Sequence, residues 1–155
     1  MNDAEEIKSK MKTVNLIFPN QLFSQSVLLE NEYEIYLIEE YLFFKQYPFH
    51  KQKIAFHRAS MKCYQNYLQK KGKKIHYIDS NNPLSDIRNF KAEIEDKKID
   101  EIKLIDPTDN WLLKRIQNVT KEVKISIYDN THFINNSKEL EKFFRAEKKS
   151  FFQTT

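Results

Sequence analysis

The sequence predicts an α/β domain: an open, five-stranded, parallel Rossmann-like sheet in three layers, with strand order 3-2-1-4-5. Three observations carry that prediction. Five short runs rich in β-branched and aromatic residues recur along the chain, and helix-spaced stretches lie between most of them. The length of 155 residues suits one hydrophobic core without disulfide or metal staples. Strands separated by helices pair in parallel, because parallel neighbours need a long crossover, and right-handed crossovers make 3-2-1-4-5 the natural order.

The strand runs are residues 14–18 (VNLIF), 34–38 (EIYLI), 74–78 (KIHYI), 101–105 (EIKLI) and 123–128 (VKISIY). After the first, residues 19–33 leave room only for a short helix around residues 24–29. The longest helix is expected over about residues 49–71, where Ile54, Met61, Tyr64 and Leu68 mark one face and Gly72 stands where a left-handed C-cap belongs. Asn82-Pro83 opens the next helix, with proline at the first helical position. Asp106-Pro107-Thr108-Asp109 repeats the device and places Asp109 at N3, where its charge complements the helix dipole. Asn136 with Glu139 reads as a capping box before Leu140, Phe143 and Phe144. Residues 1–12 are expected as a flexible tail, residues 13–147 as the domain, and residues 148–155 as the start of a linker. Phe151 and Phe152 need a surface to pack on, either on this domain or on a further one.

Composition removes several function classes. One Cys (Cys63) excludes an internal disulfide and any multi-cysteine zinc or iron–sulfur site, and one Gly (Gly72) excludes a Walker loop or a G-x-G-x-x-G fingerprint. The formal charge is +4, yet only four of the 26 bases are Arg (Arg58, Arg88, Arg115 and Arg145). Specific phosphate recognition favours the bidentate fork of Arg, so a spread lysine excess does not read as a nucleic-acid footprint. The polar start, without an apolar h-region or a run of membrane-spanning length, gives the expectation of a soluble cytoplasmic protein away from membranes.

Ligands of an open parallel sheet bind outside the carboxyl ends of its strands, at the switch point, here between strands one and four. The rim there carries Asn20 and Gln21 after strand one, Glu39 and Glu40 at the end of strand two, Asp79 after strand three, and residues 106–111 with Trp111 after strand four. Residues 41–48 are apolar enough to form a platform for a flat ligand or another domain. Each candidate has a plainer reading. Asp106 reads as a helix cap, Glu39 and Glu40 as polar strand ends, His50 and His57 as hydrogen-bonded structural histidines, and Cys63 as a small core residue. Lys51, Lys53, Arg58 and Lys62 form either a solvated helix face or a docking surface. No catalytic or metal-ligating set stands out, and a phosphate-hydrolysing site built on strand-end carboxylates lacks phosphate-cradling glycines.

Residues 35–79 resemble the N-terminal domain of the bacterial photolyase- and cryptochrome-related proteins. The carriers are Glu39 at a strand end, then His50-Lys51-Gln52-Lys53-Ile54, then Ala59-Ser60-Met61. Asn20-Gln21-Leu22 resembles the family's D-Q-L with Asn for Asp, and residues 106–116 and the FFRAEKKSFFQTT ending follow in the same order. In place of a more polar family stretch, this chain has Tyr41-Leu42-Phe43-Phe44. The resemblance implies an antenna-type domain of a light-dependent DNA repair or blue-light-sensing flavoprotein, not photocatalytic by itself. It implies a lumazine- or flavin-type antenna chromophore held by Asn20, Gln21, Glu39, Tyr47, His50, Lys51, Asp106 and Trp111. FAD and a 4Fe-4S cluster would belong to a helical domain, present in cis or trans, through which alone DNA is met. The alternative is a non-enzymatic module, monomeric or weakly dimeric, that docks on a separate helical subunit.

Overall fold

All five expected strands form, within two residues of their expected ends, in a computed structural model that describes residues 11–146. They are β1 (Thr13–Ile17), β2 (Glu34–Ile38), β3 (Ile75–Ile78), β4 (Glu101–Ile105) and β5 (Lys124–Tyr128). The sheet order is β3-β2-β1-β4-β5 and every pairing is parallel. Ile17 lies beside Leu37, Leu37 beside Tyr77, Val14 beside Ile102 and Leu104 beside Ile127.

Burial follows the position of each strand. All of β1 is buried, as a central strand covered on both faces must be. Val14, Leu16 and Phe18 face one way, into a cluster with Ile87, Phe90, Leu112 and Ile116. Ile17 faces the other way, into a cluster with Leu28, Met61, Tyr64 and Leu68. Helices thus lie on both faces, which makes three layers. The β4–β5 half differs: Ile102 and Leu104 point into the first cluster, whereas Glu101, Lys103, Lys124 and Ser126 alternate onto the other face. There Glu101 accepts from Ser126 at 2.8 Å and pairs with Lys124 at 3.0 Å.

The helices are α1 (Tyr41–Phe44), α2 (Lys51–Lys70), α3 (Lys91–Lys97), α4 (Asn110–Val119) and α5 (Ser137–Ala146), with a 3-10 turn at Val27–Leu29 filling the first connection. Gly72, at φ +74°, ends α2 as expected. Its N–H meets Gln69 O at 2.9 Å while the Lys73 N–H reaches Leu68 O at 3.1 Å, the paired bonds of a Schellman stop. The capping box before α5 also forms, with Glu139 N–H on Asn136 Oδ1 at 2.9 Å and Asn136 N–H on Glu139 Oε2 at 3.1 Å.

Three expectations are corrected. The helix opened by Asn82-Pro83 is broken into 3-10 turns at Pro83–Ser85 and Ile87–Asn89 before α3, because Asp86 adopts an extended backbone and caps the second turn. The helix after β4 begins at Asn110 rather than at Pro107. Thr108 sits at φ +58°, outside helical space, so Asp109 becomes the N-cap and accepts from Leu112 N at 2.9 Å. Cys63 is exposed rather than a core residue: it lies two positions, about 200°, round the helix from buried Met61. The expected linker, with Phe151 and Phe152, and residues 1–10 of the expected tail lie outside the described residues. Lys12 is tied to the domain, its N–H donating to Asp100 at 2.7 Å.

Candidate functional site

The carboxyl edge is built where β1 and β4 part. Their pairing runs only from Thr13 to Asn15 on β1, so the last carbonyls of β4 lose a strand partner. Gln21 replaces it. The turn after β1 closes through Gln21 N–H on Phe18 O at 3.0 Å, and this aims the side chain across the gap. The Gln21 Nε2 then donates to Ile105 O at 2.9 Å and to Asp106 O at 3.0 Å. Asn20 Nδ2 reaches Pro107 O at 3.2 Å, and Asn130 Nδ2 reaches Asp106 O at 2.9 Å. A three-amide stitch therefore closes the switch-point crevice, and buried Asn20 Oδ1 and Gln21 Oε1 are left without a partner.

Asp106 shapes the next turn. Its Oδ1 accepts the Thr108 N–H at 2.8 Å, holding the left-handed Thr108 that delays the start of α4. Trp111, in the first turn of α4, is 72% exposed. One turn on, Arg115 Nη2 donates to Gln46 Oε1 at 2.9 Å, joining α4 to the connection between α1 and α2. The adjacent Tyr47 is 63% exposed, and the buried Arg115 Nη1 has no partner.

The two glutamates that end β2 behave in opposite ways. Glu39, fully buried, receives Arg58 Nε at 2.8 Å, Arg58 Nη2 at 2.6 Å, Tyr77 Oη at 2.5 Å and the Ser80 N–H at 2.8 Å. Burial would raise its pKa, but the guanidinium, the phenol and the N–H together hold it below the ordinary carboxylate value. Glu40, equally buried, caps α1 through Leu42 N–H and receives Ile87 N–H at 3.4 Å. Burial dominates there, and its pKa is pushed up to about 7 despite those N–H groups and nearby Arg115.

His50 is the N-cap of α2, its Nδ1 accepting from Gln52 N at 3.2 Å, and Lys51 is the exposed first residue of that helix. His57 packs among the Phe43, Phe44 and Phe56 rings, and burial lowers its pKa. Of the eight candidate residues, Asn20, Gln21 and Asp106 share one hydrogen-bonded cluster. Trp111 and Tyr47 flank the Arg115–Gln46 bridge in sequence, Glu39 belongs to a separate ion-pair network, and His50 and Lys51 lie at a helix start. Sequence reasoning missed the bridge between Arg115 and Gln46 and the left-handed turn at Thr108. A signal existed for Arg115, since an Arg in a lysine-dominated chain points to fixed planar geometry. Among the described residues, no group of three His, Cys, Asp or Glu side chains could hold a metal, and no helix is long and apolar enough to cross a membrane. What the edge offers is hydrogen bonding and flat aromatic surface.

Comparison with known proteins gives a family. A family model described as deoxyribodipyrimidine photo-lyase-related protein matches residues 15–155. Uncharacterized protein R852 of Acanthamoeba polyphaga mimivirus is 30% identical, over 92% of this chain and 78% of the viral protein.

Proposed function

The chain belongs to the deoxyribodipyrimidine photo-lyase-related protein family, and from that premise we propose that it acts as the antenna-type α/β domain of a photolyase-related flavoprotein engaged in light-dependent DNA repair or blue-light sensing. The observation that supports a flat ligand is the pair of exposed rings Tyr47 and Trp111, together with three buried polar atoms that hold no partner in the protein, Asn20 Oδ1, Gln21 Oε1 and Arg115 Nη1, which a ring could reach only after a shift of the side chains covering them. Tyr47 follows Gln46 in sequence and Trp111 lies one helical turn before Arg115, the two ends of the Arg115–Gln46 bridge. A pteridine-like or isoalloxazine-like edge offers the complementary donors and acceptors. Because the Gln21 amide already spans β1 and β4, the ring would lie on the rim over that carboxamide, with Trp111 or Tyr47 against its face. A lumazine or flavin bound there would supply near-UV or blue absorption and pass its excitation to a flavin on a partner.

Photochemistry itself is assigned to that partner, a helical FAD-binding domain in cis or trans that also meets the DNA. The single cysteine cannot supply the four thiolates of a 4Fe-4S cluster. No residue of this domain is assigned a catalytic role.

Trp111 is the chain's one tryptophan, so its fluorescence reports on this rim. At roughly −0.3 kcal/mol per ligand atom, a ring system of about two dozen atoms binds at about 10 µM. Titration with 6,7-dimethyl-8-ribityllumazine or FMN should quench Trp111 saturably in that range, and Arg115→Met should weaken the binding at least about tenfold, by removing a buried donor. Absence of saturable quenching by either compound at about 200 µM, twenty times the expected Kd, removes the antenna role.

A second reading, an interaction module, is favoured by α5. Its Leu140, Phe143 and Phe144 side chains are exposed, as are nearby Phe133 and Ile134. Phe143→Ser with Phe144→Ser should raise solubility and reduce self-association; unchanged behaviour counts against this reading.

A further inference from the structure

We propose that the outer face of α2 is the docking seat for an acidic amphipathic helix of a protein partner. The helix is 20 residues long and carries Lys51, Lys53, Arg58, Lys62 and Lys70 but no Asp or Glu. Along its exposed midline stand Ala55, Ala59 and Cys63, one helical turn apart, which leave a low ridge. On one side of that ridge lies an apolar groove of about 590 Å³, walled by Phe56 and Tyr67 and by Leu22 of the loop after β1. On the other side a hollow of about 460 Å³ is bounded by Lys51, Ile54 and Arg58, with Ala59 common to both. The groove is held open by two side chains of α2 itself: Tyr64 Oη donates to Phe23 O at 2.7 Å and Tyr67 Oη to Ser24 O at 2.9 Å.

Shape and charge select the occupant. A ridge of alanine and cysteine lets a second helix approach to roughly 8–10 Å between axes, with its own apolar ridge in the groove. That orientation turns the flank of the incoming helix toward Lys51 and Lys62, and the absence of acidic residues on α2 makes carboxylates the matching charge. A nucleic-acid strand fits less well. Arg58 is committed to Glu39, and no Lys or Arg lines the apolar groove to hold a phosphate backbone there. The proposal does not depend on a chromophore at the carboxyl edge.

Cys63 is the sole thiol, is exposed, and lies in the groove, so its alkylation or disulfide-exchange rate reports occupancy directly. The probe is a synthetic helical peptide of roughly 18 residues with Leu at i, i+3, i+4 and i+7 spacing and Glu elsewhere. Its controls are the same peptide with Lys for Glu and a single-stranded DNA oligonucleotide. The acidic peptide should bind with Kd below about 100 µM, a magnitude suited to a single-helix groove. At saturation it should slow Cys63 modification at least about tenfold, as occlusion of the thiol requires. Lys51→Glu with Lys62→Glu should weaken binding by about tenfold or more. Ala59→Arg should do the same even though it adds positive charge, because it fills the ridge. Three results would each overturn the proposal: unchanged Cys63 reactivity with the acidic peptide, equal or tighter binding by Ala59→Arg, or better Cys63 protection by the basic peptide or the DNA. Trp111 quenching by lumazine or FMN is read separately, so failure here leaves the rim site untouched.

Discussion

Arg58 clasps Glu39 with both oxygens engaged, Nε at 2.8 Å from Oε1 and Nη2 at 2.6 Å from Oε2, and so ties the long helix α2 to the end of β2. The carboxylate is fully buried while the guanidinium is partly exposed, so the pair has one desolvated partner and one that water still reaches. Tyr77 from β3 and the Ser80 N–H complete the set, which makes Glu39 the point where β2, β3 and α2 meet.

Glu39→Ala should therefore cost about 3 kcal/mol, since it strands a phenol, an N–H and half of a guanidinium. For a chain of this size that corresponds to a fall in Tm of roughly 6–12 °C. The folded-state pKa of Glu39 lies below its ordinary value of 4.5, so its contribution is complete above that pH and fades as pH falls through the lowered pKa. Arg58→Met should reverse this dependence, and the variant should lose less stability at pH 4 than at pH 8. Urea titrations at the two pH values check it.

Glu40 predicts the opposite slope. With its pKa raised from 4.5 to about 7, the folded state holds a proton that the unfolded chain has released. Stability from this group is present below about pH 4.5 and is lost as pH rises through about 7. The difference is on the order of 3 kcal/mol, from about 1.4 kcal/mol per pKa unit. Glu40→Gln keeps an acceptor for the Leu42 N–H and should flatten the profile, leaving the variant more stable than the parent at pH 8.

Thr108 is a β-branched residue at φ +58°, a conformation costing about 1 kcal/mol or more. Thr108→Asn, which tolerates that region, should raise stability by roughly 0.5–1 kcal/mol. A thermal melt measures the gain, and the Trp111 emission should be unchanged because Asp109 still caps α4.

Gly72→Ala should cost about 1 kcal/mol by backbone strain alone. A Cβ at that position meets nothing within 4 Å, so no clash adds to the loss. Gly72→Asn should recover part of it. A loss of several kcal/mol would mean that the Schellman stop does more than end α2.

The order of elements was legible because each strand and helix end has a local cause. Parallel order follows from alternation alone, and Gly72, Asn136 and Glu139 each sit where their chemistry closes a helix end within a few residues. At the carboxyl edge the picture was partial. Of the residues that the sequence places on the rim, Asn20, Gln21 and Asp106 meet in one cluster, whereas Glu39 belongs to the network of Arg58. That Gln21 closes the crevice, that Arg58 is taken by Glu39, and that Arg115 reaches Gln46 could not be read. Those pairs lie 84, 19 and 69 residues apart. Their partners are chosen by where the sheet brings chain segments together, not by neighbouring sequence.

By itself the sequence determined the five strands, their parallel order, the stop of α2 at Gly72 and the capping box before α5, because hydrophobic period and capping chemistry act over a few residues and need no distant partner. Only the tertiary structure decided which polar groups at the carboxyl edge are paired and which are left without a partner, that the pKa values of two adjacent glutamates move in opposite directions, and that Cys63 faces solvent. Those outcomes depend on desolvation and on hydrogen-bond partners brought together from far along the chain, and neither exists until the sheet has formed.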